Sequence, residues 1–457
     1  MINKGCDVNR CSVADLVSQF RTGTIDRRLF LSRAVAAGVS VSLASQVPRA
    51  AAQEMPESTK IGNPDIPHST DTSKGTIRLY SSWPLTGAND QLGNDGVEAF
   101  RFGLSQWGNA AGGFALEYVA LDDGIIANGG AWDPATVTSN VVRVASDPDA
   151  VVFIGTYNSG SAKIAIPLTN EAGILMLSPY NNGPGLTVAY PGVTNNGEPD
   201  MYYPTGKQNY FRNTSNDINV VGAEVEWITS QGWKSAYVLH DQSFWGTGVT
   251  AVFKHDFEAA GGTILGLEGY DPRSSDYQSL MASIAGTAPD FVYLAGASDT
   301  NASKVILDMR SYMGDEVALF GTTGVLSDLI IQAAGDAAEG MYIAGDGMPP
   351  TQLLEMGGPA AEFVQHMQDT VGHMPDYFAV HAYEAATIIV QAIDAVGEKD
   401  RAKIMDAVAA TTNFRGVFGD TWSFLPSGDL DKTIITIVQI QDGEMQPVAK
   451  VVRESYQ

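Results

Sequence analysis

The sequence predicts an α/β protein of two doubly wound lobes, each a parallel sheet with helices on both faces. Three observations predict it. From residue 76 onward, short runs rich in Val, Ile, Leu and Phe alternate with helix-length stretches, which is the rhythm of parallel βαβ units. The rhythm stops at a segment rich in Gly, Pro and Asn, residues 179–209, and then restarts. One phrase recurs on either side of that break. "NAAGGFALEY" (109–118) and "EAAGGTILGL" (258–267) each close a helix on paired glycines and open a strand, since the residue past a helix end often adopts a left-handed conformation.

The elements follow in order. "IRLYSS" (77–82) is a strand, followed by a helix near 94–110. "LEYVALDD" (116–123) is the next strand and 134–146 the next helix. "AVVFIG" (150–155) reads as a buried strand from its β-branched and aromatic content. A helix over about 160–172 and a strand, "ILMLS" (174–178), complete the first half. The second half alternates helices at 217–231, 244–260, 275–285 and 300–312 with strands at 235–240, 263–270, 290–296, 317–321 and 341–345. Helices at 359–371, 376–396 and 400–410 come after it, and a return to the first lobe is the economical packing. "TIITIVQI" and "MQPVAKVV", separated by Asp442-Gly443, read as a β-hairpin. The 179–209 loop is longer than connections in compact domains usually are, which marks it as functional or mobile.

The chain begins with an address. Arg27 and Arg28 precede Leu-Phe-Leu, and the uncharged stretch 34–45 follows. That stretch is too short for a membrane span, which needs about 20 residues. Ala50 and Ala52 offer a small-residue cut before Gln53. Residues 1–52 are thus read as a twin-arginine export signal, and 53–74, with Pro56, Pro64 and Pro67, as a flexible linker. The mature protein is expected to be periplasmic. Both cysteines, Cys6 and Cys11, lie within the signal, so the folded part has no disulfide and no cysteine metal site. A net charge of −25 disfavours nucleic acid and anionic lipid as partners.

A search for chemistry finds a near miss. In "FIGTYNSGSAK" (153–163), Gly155 and Gly160 have the spacing of a phosphate-binding loop, but Ser161 and Ala162 stand where lysine should be, and Lys163 comes too late. What remains is a helix N-terminus with free N–H groups and the hydroxyls of Ser159 and Ser161, which suits a carboxylate. Alternatively, Ser159 merely caps the helix. No hydrolase elbow and no zinc spacing appears among the six histidines. His240-Asp241 reads as a structural pair, and Asp122-Asp123 as either a cation site or a set of turn bonds. Trp83, Tyr157, Tyr180 and Trp245 all fall just after strands, where ligands bind in open α/β sheets, and together they suggest an aromatic cleft.

In this order, a set of individually soft motifs resembles the type I periplasmic solute-binding proteins of the branched-chain amino acid class, which serve ABC transporters. The motifs are "PLTG" (84–87), "AAGG" (110–113), "LDDG" (121–124), "FIGTYNSGSAK", "NEAGILMLSP" (170–179), "YFR" (210–212), "HDQSFWGTG" (240–248), "PDFVYLAG" (289–296), "AYEAATIIVQAI" (382–393) and "GDTWSFLPSGDL" (419–430). The resemblance covers about 76–450. It implies a type I periplasmic binding protein fold with three hinge crossings, near 212, 346 and 427. Lobe 1 would be 75–211 plus 347–426, and lobe 2 would be 212–346 plus 427–457. It implies a monomer that closes on a small-molecule ligand, an amino acid or related carboxylate. It also implies an ABC permease and the twin-arginine translocase as partners, no cofactor, no metal and no catalysis.

The resemblance also places ligand contacts. Ser159 would grip the carboxylate. Tyr180 supplies a backbone group, and Asn182 stands where the family has threonine. Trp245 replaces the usual tyrosine of the second lobe, and Tyr157 and Phe378 form apolar walls. The departure is Thr323, in "GTTG", where those proteins carry a glutamate for the ligand's ammonium group. Asp90 or Asp299 could substitute. Otherwise the ligand lacks an α-amine and is an amide, a urea or an aromatic or short acid. A ligand-sensing module of the same fold is the remaining alternative.

Overall fold

The structure, a computed structural model, describes residues 60–87 and 90–457. The segment read as an export signal, both cysteines and residues 53–59 lie outside the described residues.

Two sheets organise the chain. The first has the order β2-β3-β1-β4-β5-β6. Its strands are β1 (Thr76–Trp83), β2 (Ala110–Ala111), β3 (Phe114–Asp122), β4 (Ala150–Gly155), β5 (Leu175–Ser178) and β6 (Tyr210–Arg212). β1 pairs in parallel with β3 on one side and β4 on the other, with Thr76 opposite Ala115 and Leu79 opposite Val152. The second sheet has the order β15-β14-β11-β10-β9-β7-β8. It is built from β7 (Ser235–His240), β8 (Thr263–Gly269), β9 (Phe291–Ala295), β10 (Ala318–Gly321) and β11 (Tyr342–Asp346). A small antiparallel pair, β12 (Phe414–Arg415) and β13 (Thr421–Trp422), precedes the last two strands, β14 (Lys432–Gln441) and β15 (Glu444–Glu454).

The two sheets share a plan. Leaving aside the two-residue edge strand β2, the first strand of each lies between the next two, as β3-β1-β4 and β8-β7-β9. The repeated Ala-Ala-Gly-Gly phrases each lead into the strand beside the first, β3 and β8. The chain passes between sheets three times: after β6, after β11 and before β14.

Helices cover both faces of each sheet. They are α1 (Asp90–Ser105), α2 (Pro134–Ser146), α3 (Ser159–Glu171), α4 (Asp217–Ser230), α5 (Phe244–Ala259), α6 (Gln278–Thr287), α7 (Ala302–Met313), α8 (Asp328–Ala334), α9 (Pro350–Met356), α10 (Gly358–Val371), α11 (Ala379–Val396) and α12 (Arg401–Ala409). Local chemistry starts several of them. Asp133 caps α2 by accepting the Thr136 N–H, with Pro134 at the first helical position, where its missing N–H costs nothing. Asn216 caps α4 and Ser243 caps α5 in the same way. α11 is buried along fifteen of its eighteen residues and packs against α1, so the late helices do return to the first sheet.

Three expectations need correction. The first helix ends at Ser105 rather than 110, because Ala110-Ala111 pairs antiparallel with Ala115 and Phe114 as an edge strand. Residues 60–74 do not behave as a free linker. Ile61 is buried, Gly62 bridges to Arg415, and Gln391 Oε1 accepts the Asn63 N–H at 2.8 Å. The 179–209 segment is packed rather than loose. Residues 178–188 are buried, Leu186 and Tyr203 join the first-sheet core, and Tyr190 and Val193 lie against the second-sheet core. The hairpin turn forms as read, with Asp442 and Gly443 both at positive φ, as a two-residue turn of this type requires.

Candidate functional site

The carboxyl ends of the two sheets face each other across a cavity of about 270 Å³. It lies at the switch points of the two strand orders, where open α/β sheets bind ligands. The first sheet contributes the loops after β4 and β5, with Tyr157, Ser159, Tyr180 and Asn182. The second contributes the loops after β7, β9 and β10, with Asp241, Trp245, Asp299 and Thr323. Phe378, just before α11, closes one side.

Ser159 is the first residue of α3, and Asn158 occupies the cap position without a side-chain capping bond. The reading of Ser159 as a helix cap therefore falls. Its Oγ instead accepts the Gly183 N–H at 3.1 Å, which leaves its proton to donate. The first N–H groups of a helix have no acceptor within it, and Ser159 and Gly160 both line the cavity. This end of the cavity is therefore rich in donors.

Around it the walls are aromatic. Tyr157 and Tyr180 meet with ring centroids 4.9 Å apart, and Phe378 lies 6.3 Å from Tyr180. Burial holds both tyrosine hydroxyls well above their ordinary pKa, and the Asp376 charge adds to it. Across the gap, the ring of Trp245 lies over Gly324, where an added Cβ would fall 2.5 Å from the indole. Phe244 faces Lys163, whose Nζ sits 3.9 Å above the ring centre, a cation–π contact that accounts for the lysine too late for a phosphate loop.

Three expected residues lie elsewhere. Ser161 is fully buried, with Oγ 2.7 Å from both Thr156 Oγ1 and the Asn158 carbonyl oxygen, because two residues along a helix turns the side chain to the far side. Trp83 is sealed behind Tyr180, edge-on at 5.4 Å, so it supports the wall without lining it. Asp90 is the exposed first residue of α1 and does not line the cavity. Asn182 lines it but commits its amide to the Ser215 carbonyl at 2.7 Å, which ties the wall to the segment between β6 and α4. Asp122 bonds the Leu85 and Gly124 N–H groups at 2.9 and 2.8 Å, so the turn reading holds for it.

Sequence reasoning missed Trp132, Phe244 and the cavity role of Asp241. Asp241 follows β7 directly, as Tyr157 follows β4, and that position was the available signal. Asp241 Oδ1 also accepts the Ser243 N–H at 3.0 Å, which shapes the start of α5.

The periplasmic binding protein family matches the chain over residues 76–444. The chain belongs to that family. Among periplasmic binding proteins and their relatives, it is 26% identical over 372 residues to the leucine-, isoleucine-, valine-, threonine- and alanine-binding protein of Pseudomonas aeruginosa, which covers 80% of this chain and 90% of that one. It is 26% identical to a Leu/Ile/Val-binding protein homolog of Brucella abortus over 82% of this chain and 92% of the other. A leucine binding protein from Thermotoga maritima superposes with a TM-score of 0.71 at 19% identity, over 82% of this chain and 99% of that one. A solute binding protein from R. palustris, solved in complex with benzoate, superposes with a TM-score of 0.69 at 21% identity, over 84% and 98%. Both structures share the two-sheet fold.

Proposed function

We propose that this protein is the extracytoplasmic substrate-binding protein of an ABC importer and captures a small apolar amino acid by closure of its two lobes. One observation carries the reading: the cavity has a donor end and an acceptor end. Ser159 and the start of α3 face a carboxylate, while Asp241 and Asp299 on the opposite wall face an ammonium group. The aromatic side chains between them accept an apolar body. The names of the relatives agree with this ligand class. The charged groups lining the cavity are both acidic, so the ligand's carboxylate would be held by neutral donors alone. No bond is made or broken in this role.

Export by the twin-arginine route, a periplasmic location, a monomeric state and an ABC permease as partner belong to the same proposal. The twin-arginine pair and the family support them. Replacing Arg27 and Arg28 by lysine and following the fate of the chain in cell fractions tests the route.

A second reading is favoured by Thr323, which offers a hydroxyl where an ion pair is expected. In that reading the ligand is an acid without an amine. Titration of the full chain with leucine, isoleucine, valine and alanine, beside 4-methylpentanoate and benzoate, separates the two. Binding of the amino acids alone supports the first reading, binding of the simple acids supports the second, and binding of neither removes both.

A further inference from the structure

Tyr180 lines the cavity with its ring, but its hydroxyl is turned away from it, toward α1. The side chain is 5% exposed and the hydroxyl has no hydrogen-bond partner, although buried hydroxyls nearly always have one. What that oxygen meets is Gly96, which is buried on α1 and does not line the cavity. A Cβ added at Gly96 would fall 2.1 Å from the hydroxyl oxygen, 3.1 Å from the ring carbon that bears it and 3.3 Å from the Trp83 ring. The phenol therefore occupies the space that a side chain at 96 would fill. Neither partner has room to retreat. α1 is held close on both flanks: a Cβ at Gly93 would lie 1.9 Å from the Pro84 carbonyl oxygen, and one at Gly103 would lie 2.6 Å from the Ala386 Cβ on α11. Around the tyrosine ring stand the buried Trp83 at 5.4 Å, Tyr157 at 4.9 Å and Phe378 at 6.3 Å. The open direction for the ring is the cavity.

We propose that Gly96 is a positioning residue that sets the size of ligand the cavity accepts, acting through Tyr180 without touching the ligand itself. By leaving room for the hydroxyl, it keeps the ring back from a space of about 270 Å³. The hydroxyl acts by its length, since it bonds to nothing. A larger residue at 96 drives the ring forward, and the loss falls first on a ligand with a bulky apolar body. Ser159, Asp241 and Asp299 lie on other parts of the lining, so the grip on the ligand's polar groups stays in place. The inference rests on the reading of this cavity as the ligand site, and it holds for an amino acid and for a simple acid alike.

The test is calorimetry of the full chain with a small and a large member of each class, alanine against leucine and propionate against 4-methylpentanoate. Gly96→Ala is expected to weaken the large ligand about tenfold or more and the small one less than about threefold, the scale of overpacking a filled space. Tyr180→Phe removes the clashing oxygen. In that background Gly96→Ala is therefore expected to cost the large ligand less than about threefold, a coupling read as a double-mutant cycle. A Gly96→Ala chain that does not fold is expected to fold once Tyr180→Phe is added, and failure to do so overturns the proposal. Equal losses for small and large ligands overturn it while leaving the ligand site standing. So does a size effect that persists undiminished in the Tyr180→Phe background. Failure of the unsubstituted protein to bind either series removes the ligand site, and this inference with it.

Discussion

Arg212 Nε donates to Asp429 Oδ1 at 2.6 Å, and neither side chain is open to solvent. The pair joins the end of β6 to the segment leading into β14, two of the three places where the chain passes between sheets. Arg212 also donates to the carbonyl oxygens of Asn181 and Gly183 at 3.0 and 2.9 Å, so it fixes the loop that carries the Gly183 N–H to Ser159. Asp429→Ala leaves a guanidinium buried without its partner. It is expected to destabilise the protein by about 3–5 kcal/mol, read from urea denaturation, and an unchanged midpoint would contradict the role.

Ser159→Ala is expected to weaken ligand binding by about 1.5–3 kcal/mol, the range for a hydrogen bond to a charged group. Calorimetry with the best ligand of the panel measures it. The melting temperature without ligand should move little, since among the described residues the bond the Ser159 hydroxyl makes is the one accepted from Gly183. Undiminished affinity would remove Ser159 from the site.

At Gly324 an added Cβ would meet the Gly296 carbonyl oxygen at 2.3 Å and the Trp245 ring at 2.5 Å. Gly324→Ala therefore forces the indole from its place. The expected cost is about 1–3 kcal/mol of stability, as for overpacking, together with lost binding and altered Trp fluorescence. An unchanged emission spectrum would show that Trp245 does not rest on this glycine.

Glu384 is buried on α11, and burial first, then the charge of Asp420, raises its pKa to about 8. A carboxyl whose folded pKa is raised binds its proton more tightly in the native state, so its contribution is fully present below the ordinary value of 4.5 and is lost as pH rises through about 8. Stability should thus decline across that window, and Glu384→Gln should flatten the decline. Denaturation midpoints at a series of pH values measure both, and parallel profiles for the two proteins would contradict the assignment.

The fold class was legible because strand and helix periods differ and the β-branched runs are short. Strand "AVVFIG" and helix 134–146 stand where they were read, the latter because Asp133-Pro134 marks its start. The site was legible where position alone decides it. Tyr157, Tyr180 and Trp245 follow strand ends and meet at one cavity, where Thr323, placed by the resemblance, also lies. It was not legible where direction decides. Ser159 and Ser161 look alike in sequence, and only the helix turn sends one into the cavity and the other into the core. Trp83 also ends a strand, but Tyr180 lies in front of it. The packing of 179–209 was hidden because Gly, Pro and Asn report a lack of regular structure, while Leu186, Tyr190 and Tyr203 provide burial without any period.

The bond from Gly183 to Ser159 has one more consequence. With one bond already accepted, the serine keeps its proton to give, and the helix start beside it can only give, so in the proposed role that end of the cavity favours the negative pole of a dipolar molecule. The opposite wall, with Asp241 and Asp299, would take the other. A guest so oriented has its remaining substituent directed to the aromatic side or away from it, according to its handedness. Three distinct points of attachment are what a surface needs to tell a molecule from its mirror image.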